Sequence, residues 1–286
     1  MRLDGRRESS NVEDRRGVSG GKAAGLGIGG IIIVGLITLL MGGDLGDVLQ
    51  TVGSQAITGT EQSYEPTAEN EALAKFSRQI LASTEDIWTK VFREQSLGTY
   101  RAPTLVLYTG STSTACGQGQ SAMGPFYCSA DEKLYIDLSF FSSMRAQLGA
   151  DGDFAYAYVI AHEVGHHVQH LLGTLDAAHK EMAYMSKADA NRMSVRIELQ
   201  ADFYAGVWGH YEGELFGSLE DGDLEEAIGC ASVIGDDYLQ KKAQGYAVEE
   251  SFTHGTAAQR MRWLKKGLNS GDIRQGNTFQ LSDNQL

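Results

Sequence analysis

Apolar and polar positions divide the chain into a short charged opening, an uncharged block, and a long body in which the hydrophobic period changes. From Thr67 to about Gln95, Leu73, Phe76, Ile80, Ile87, Val91 and Phe92 recur at helical spacing. Ser83, Thr84 and Asp86 offer a second helix start within that run. Pro103 to Thr109 and Lys133 to Ser139 are short, apolar and rich in strand formers, so each predicts a strand. In the second, alternation puts Leu134, Ile136 and Leu138 inward and Tyr135 and Asp137 outward. Phe140 to Leu148 predicts a short helix, and Gly149 to Asp153 a turn into the apolar run Phe154 to Ile160. Further helices are predicted over Asp189 to about Tyr211, Asp223 to Lys242, and Thr256 to Leu268, the last closed by Asn269 and Gly271. A small sheet followed by helices describes an α+β domain over 67–271, with 272–286 a polar, loosely held tail.

The uncharged block, Ala23 to Gly43, is 21 residues long. That is about the length of a helix that crosses a bilayer, roughly 20 residues. Basic residues precede it, and Asp44 and Asp47 follow, so the predicted topology is a single pass with 1–22 cytoplasmic. Residues 44–66 then form a flexible linker, and the body lies periplasmic or otherwise outside the cytoplasmic membrane. A cleaved signal peptide is the rival reading, although no clear small-x-small site follows Leu40, and a buried helix of a soluble domain is the third.

Charge narrows the partners. Residues 1–43 carry six basic and four acidic residues, leaving 18 basic and 33 acidic for 44–286, a net of −15. An acidic body repels phosphate backbones, which argues against nucleic acid. Of the three cysteines, Cys116 and Cys128 bracket a Gly-rich loop that a disulfide could close if the body is exported, leaving Cys230 a buried thiol. The alternative is three unpaired thiols.

The chemistry concentrates at His162-Glu163-x-x-His166. On a helix, residues four apart share a face, so both imidazoles reach one ion with Glu163 beside it. Catalytic zinc usually takes three protein ligands and keeps a position open. The third is predicted to be Glu198, with Asp202 one turn further along to hold a ligand histidine by its free ring N–H. Were these two carboxylates only a solvated face, the acidic stripe would continue; instead Leu199, Ala201, Phe203, Ala205 and Val207 make the helix apolar. A His166/His170 pair lacks the adjacent glutamate, and His167, His170, His179 and His210 read as ordinary polar positions. Glu163 is the expected general base. His254, just before a helix start, is the candidate donor to a developing oxyanion, and Arg260 a support for Asp202 or His254. Their plainer readings are a cap-region histidine and a surface charge.

With Cys116-Gly, Gly124-Pro-Phe-Tyr-Cys128, Leu134 to Phe141, Ala161 to Gln169, Arg196 to Asp202, Ile234-Gly-Asp-Asp237 and Thr253 to Arg260, the chain resembles the bacterial neutral zinc metallopeptidases, the YpfJ-like membrane-anchored proteins. The resemblance implies a zincin-like fold, zinc on His162, His166 and Glu198, and catalysis by Glu163. Phe203 stands where many relatives are expected to have cysteine. In such folds the strand before the motif helix commonly forms the cleft edge, for which Leu134 to Ser139 is the candidate. The resulting reading is a membrane-anchored zinc endopeptidase acting on peptides or proteins, with Zn2+ as its cofactor. Two rivals stay open: a catalytically silent, zinc-stabilised scaffold or chaperone-like protein, and a hydrolase of cell-wall amides.

Overall fold

The computed structural model describes residues 1–17 and 67–286. The predicted span 23–43 and linker 44–66 lie outside the described residues, and among the described residues no helix is long and apolar enough to cross a membrane. The fold is mixed, mostly helical, with a small sheet.

The first strand, β1 (Val12–Asp14), comes from the segment that charge alone assigned to the cytoplasm. Helix α1 (Ala68–Glu94) follows, capped by the Thr67 hydroxyl on the Asn70 N–H. It does not restart at Ser83 or Thr84. Both hydroxyls are buried within one continuous helix, where Thr84 donates to the Leu81 carbonyl and Ser83 to Glu212. Next come β2 (Thr104–Tyr108), the hairpin β3 (Ser111–Thr114) and β4 (Gly117–Gln120), then β5 (Phe126–Cys128) and β6 (Lys133–Asp137). Cys116 and Cys128 are joined in a disulfide, and Cys230 is a free, buried thiol.

The main sheet has the order β1-β2-β6-β5, with β1 and β6 parallel to β2 and β5 antiparallel to β6. Two expectations change here. The strand Lys133–Asp137 is flanked on both sides, so β6 is not the cleft edge; β5 is. Tyr135 and Asp137 are not exposed either. Tyr135 packs with Val106, Tyr108 and Cys128 on the second face of the sheet, and Asp137 accepts from Ser121 and the Gly110 N–H.

Residues 1–17 are part of the domain rather than a separate segment. The Arg6 guanidinium donates to the fully buried Glu212 at 2.9 Å, the Ser9 hydroxyl to Glu85, and Arg16 bridges to Glu71 at 2.9 Å. Two ion pairs and a hydrogen bond, reaching α1 at Glu71 and Glu85 and a later helix at Glu212, tie this segment down. No local periodicity announces such contacts.

The helical half starts with α2 (Ser139–Ser143) and one π-helical turn, Met144–Leu148. The motif helix α3 (Asp153–Leu171) follows, then α4 (Thr174–Met182) and the 30-residue α5 (Lys187–Phe216), capped by Ser186. The predicted helix 223–242 is two helices, α6 (Asp223–Val233) and α7 (Asp236–Gln244). The break falls at Gly235, where a Cβ would lie 2.2 Å from the Ala257 nitrogen, so only glycine lets the next helix start so close. That helix is α8 (Ala257–Ser270), begun by a capping box of Thr256 and Gln259 and ended by Gly271 in the left-handed region. The tail is not loose. Ile273, Thr278 and Leu286 are buried, and Thr278 exchanges hydrogen bonds with Arg196 through both its hydroxyl and its carbonyl.

Candidate metal centre

The motif helix is buried over most of its length, from Phe154 to Gln169 with only His166 partly open. Its rigidity comes from that burial, since fifteen of its residues pack inside. Gly165, between His162 and His166, lets α5 approach; a Cβ there would sit 2.9 Å from the Ala201 carbonyl oxygen. This contact brings Glu198 of α5 across from His162 and His166. One Glu198 oxygen is 3.0 Å from His162 Nε2 and the other 3.5 Å from His166 Nε2. One donor atom from each of the three residues falls within 4.8 Å of the others.

Each imidazole is oriented through its other nitrogen. His162 Nδ1 donates to Asp202 Oδ1 at 2.8 Å. Asp202 is fully buried and accepts from the Tyr158 hydroxyl at 2.6 Å and from Arg260 Nε at 2.8 Å and Nη2 at 3.0 Å. Burial alone would raise the Asp202 carboxyl, but the Arg260 and His162 charges pull it down to about 2. Arg260 is therefore no surface charge; it neutralises a buried carboxylate that would otherwise be costly. His166 Nδ1 donates to Gln169 Oε1 at 2.9 Å, and the Gln169 amide is fixed in turn by the Ile197 carbonyl and Gln200. Both Nε2 atoms are thus aimed at Glu198. Burial would raise the Glu198 carboxyl as well, yet the His166 and His254 charges and the hydrogen bonds of His162 and His166 hold it well below the usual range.

Glu163 lines the same cleft with His254, Arg260, Tyr127, Val159, Leu175, Met182 and Ile197, around a cavity of about 320 Å3. Burial raises the Glu163 carboxyl, against the opposing pull of His166 and His162. A carboxyl tuned upward is a better proton acceptor for catalysis near neutrality. His254 is about one-third exposed and faces this cleft, so the structure brings together all seven residues singled out for the site: His162, Glu163, His166, Glu198, Asp202, His254 and Arg260. Of the alternative histidines, two are engaged elsewhere. His170 bonds Asp176 and His210 bonds the Leu268 carbonyl. His179 does line the cleft, which was not expected.

Some residues escaped the sequence reading. Tyr158 and Gln169 stand four residues before His162 and three after His166, so helical spacing could have pointed to both. His167 is completely buried; its Nε2 donates to the Arg101 carbonyl at 2.6 Å, and Nδ1 accepts from the Tyr127 hydroxyl at 2.9 Å. Burial drives its pKa down to about 4, which keeps it neutral in that tautomer. It thereby ties the edge strand β5 to the motif helix, a tertiary contact with no local signature. Phe203 packs against Trp263 in the core and takes no part in the site.

The family described as "Putative neutral zinc metallopeptidase" matches residues 1–279. The chain belongs to this family. Similar members include Escherichia coli K12 YpfJ, 50% identical over 98% of this chain and 99% of its own length, and the same protein of E. coli O6:H1, at equal identity and coverage. The Mycobacterium tuberculosis protein Rv2575 is 40% identical over 64% of each chain. All three are described as uncharacterized. No solved structure matches. The family match starts at residue 1, in keeping with β1 as part of the domain.

Proposed function

We propose that the protein is a zinc-dependent endopeptidase, with the ion held by His162, His166 and Glu198 and with Glu163 as general base. The observation that carries this reading is the donor set itself: two imidazole nitrogens and a carboxylate within 4.8 Å, beside an open cleft. Two nitrogens and one oxygen suit zinc, and a three-residue site facing a cavity has the open position of a catalytic centre, where a structural site would be closed by a fourth ligand. Bound there, the ion would supply Lewis acidity, polarising a carbonyl and making water easier to deprotonate.

The residues of this chain supply the remainder. Asp202 and Gln169 hold the two imidazoles in the tautomer that leaves Nε2 free. Glu163 takes a proton from the attacking water and returns it to the leaving amine. His254, which lines the same cleft, donates to the oxygen on which negative charge develops. The apolar lining from Val159, Leu175, Met182 and Ile197 favours a substrate with an apolar side chain next to the scissile bond. The outer side of β5, which pairs only with β6 among the described residues, offers an extended peptide a strand to lie against.

The test is zinc stoichiometry together with cleavage of a peptide library. Glu163→Gln should bind zinc like wild type and lose activity by about 10²–10⁴-fold; hydrolysis at the wild-type rate by the metal-loaded variant would sink the reading. A silent scaffold would bind zinc and cleave nothing, and a cell-wall amidase would release muropeptides instead. Membrane association through 23–43 belongs to the same proposal and rests on sequence alone; a full chain recovered wholly in the soluble fraction would refute it.

A further inference from the structure

Asp236 opens α7 and is completely buried. One of its oxygens, Oδ2, accepts three consecutive backbone N–H groups, from Thr253 at 2.7 Å, His254 at 2.7 Å and Gly255 at 3.0 Å. That single atom shapes the loop from which His254 enters the cleft. The other oxygen, Oδ1, is buried, makes no hydrogen bond, and lies 3.5 Å from His254 Nδ1. A buried carboxylate oxygen without a partner costs free energy and calls for an explanation. The Thr253 hydroxyl lies 2.9 Å from the same nitrogen.

We propose that Asp236 is the positioning residue for His254: it sets the loop through Oδ2 and, through Oδ1, keeps a proton on Nδ1. Nε2 is then the ring nitrogen left for the cleft, and it donates there when the ring carries both protons. Asp236 touches no reacting atom and acts only through His254. The inference rests on the peptidase reading for its consequence in turnover, and on the loop geometry alone for the state of the ring.

Asp236→Asn separates the two functions. Its carbonyl oxygen can still accept the three N–H groups, while its amide presents a donor to Nδ1 where the carboxylate presented an acceptor. In long-range proton–nitrogen spectra of the full chain at neutral pH, His254 Nδ1 should be protonated in wild type and unprotonated in Asp236→Asn. An unprotonated Nδ1 in wild type overturns the proposal without need of any variant, as does an identical ring state in both proteins. In the zinc-loaded protein, Asp236→Asn should lower kcat by about 10–100-fold with KM within about twofold. On a His254→Ala background the same substitution should cost nothing more. A further loss there would mean that Asp236 supports the fold generally, and would overturn the proposal. Wild type that shows the expected ring state but cleaves no peptide would instead count against the peptidase reading.

Discussion

The metal cluster and the N-terminal segment are both held by buried charge, but they are built in opposite ways. At the cluster the donors sit on two long helices at fixed spacings, so His162, His166, Glu198 and Asp202 are aligned before any tertiary contact forms. Packing of α3 on α5 then needs only one close approach to bring them together. Residues 1–17 have no such scaffold. They are placed by β1 pairing with β2 some 93 residues away, as in Val12 opposite Leu105, and by Arg6 reaching Glu212. Order at the first site is local and cheap to encode; at the second it is entirely long-range.

The sharpest way to probe that contrast is to remove one charge from each region. Asp202→Ala strands Arg260 in the core and frees His162, so stability should fall by about 3–5 kcal/mol and zinc affinity by roughly 10–100-fold. Thermal unfolding and zinc titration measure the two. Unchanged zinc affinity would mean that Asp202 does not hold His162 in solution. Arg6→Ala leaves Glu212 buried with only Ser83 and Ser218 as partners. It should cost about 1–3 kcal/mol and leave zinc stoichiometry and affinity alone. A loss of zinc there would abolish the distinction between the two regions.

Proton linkage gives a smaller, finer measure of the cluster. Burial alone would lower the His162 pKa, but the Asp202 and Glu198 carboxylates push it up to about 10, and Glu198 raises His166 in the same way. Without metal the His162 ring therefore favours a proton at pH 7, the His166 ring is shifted the same way, and zinc must displace what they carry. Affinity should rise with pH, with roughly one to two protons released per ion at neutrality. Calorimetry in buffers of different ionisation enthalpy counts them, and release of less than about half a proton would contradict the electrostatic picture.

The same contrast explains what could be read in the sequence. Helix positions and metal donors follow from periodicity and i, i+4 spacing, so the helices over 68–94, 153–171 and 187–216 and the three donor residues were legible. Non-local events were not. Nothing in Lys133 to Asp137 tells that β5 will cover its flank, because strand order is set by pairing across the sheet. The break between α6 and α7 depends on what packs against Gly235, and the anchoring of 273–286 on Arg196 crosses more than 80 residues. Asp236 looked like one acid among several in Ile234-Gly-Asp-Asp237 because its three N–H partners come from a loop 17 to 19 residues away.

Hydrogen bonds between β1 and β2 set a topological condition. Strands that share a ladder must occupy the same compartment, so residues 12–14 and 104–108 cannot face each other across a lipid bilayer. Whatever lies between Gly17 and Thr67 must begin and end on one side, where Arg16 already grips Glu71. A single crossing that left 1–22 and the body on opposite sides does not fit this ladder, so membrane association through 23–43 would have to keep both ends of that segment on one face. Cysteines placed singly at Asp4 and Glu249 in a chain whose own Cys230 is buried should react with the same impermeant maleimide in intact cells, or both should resist it; opposite outcomes would mean that the ladder does not form in the cell.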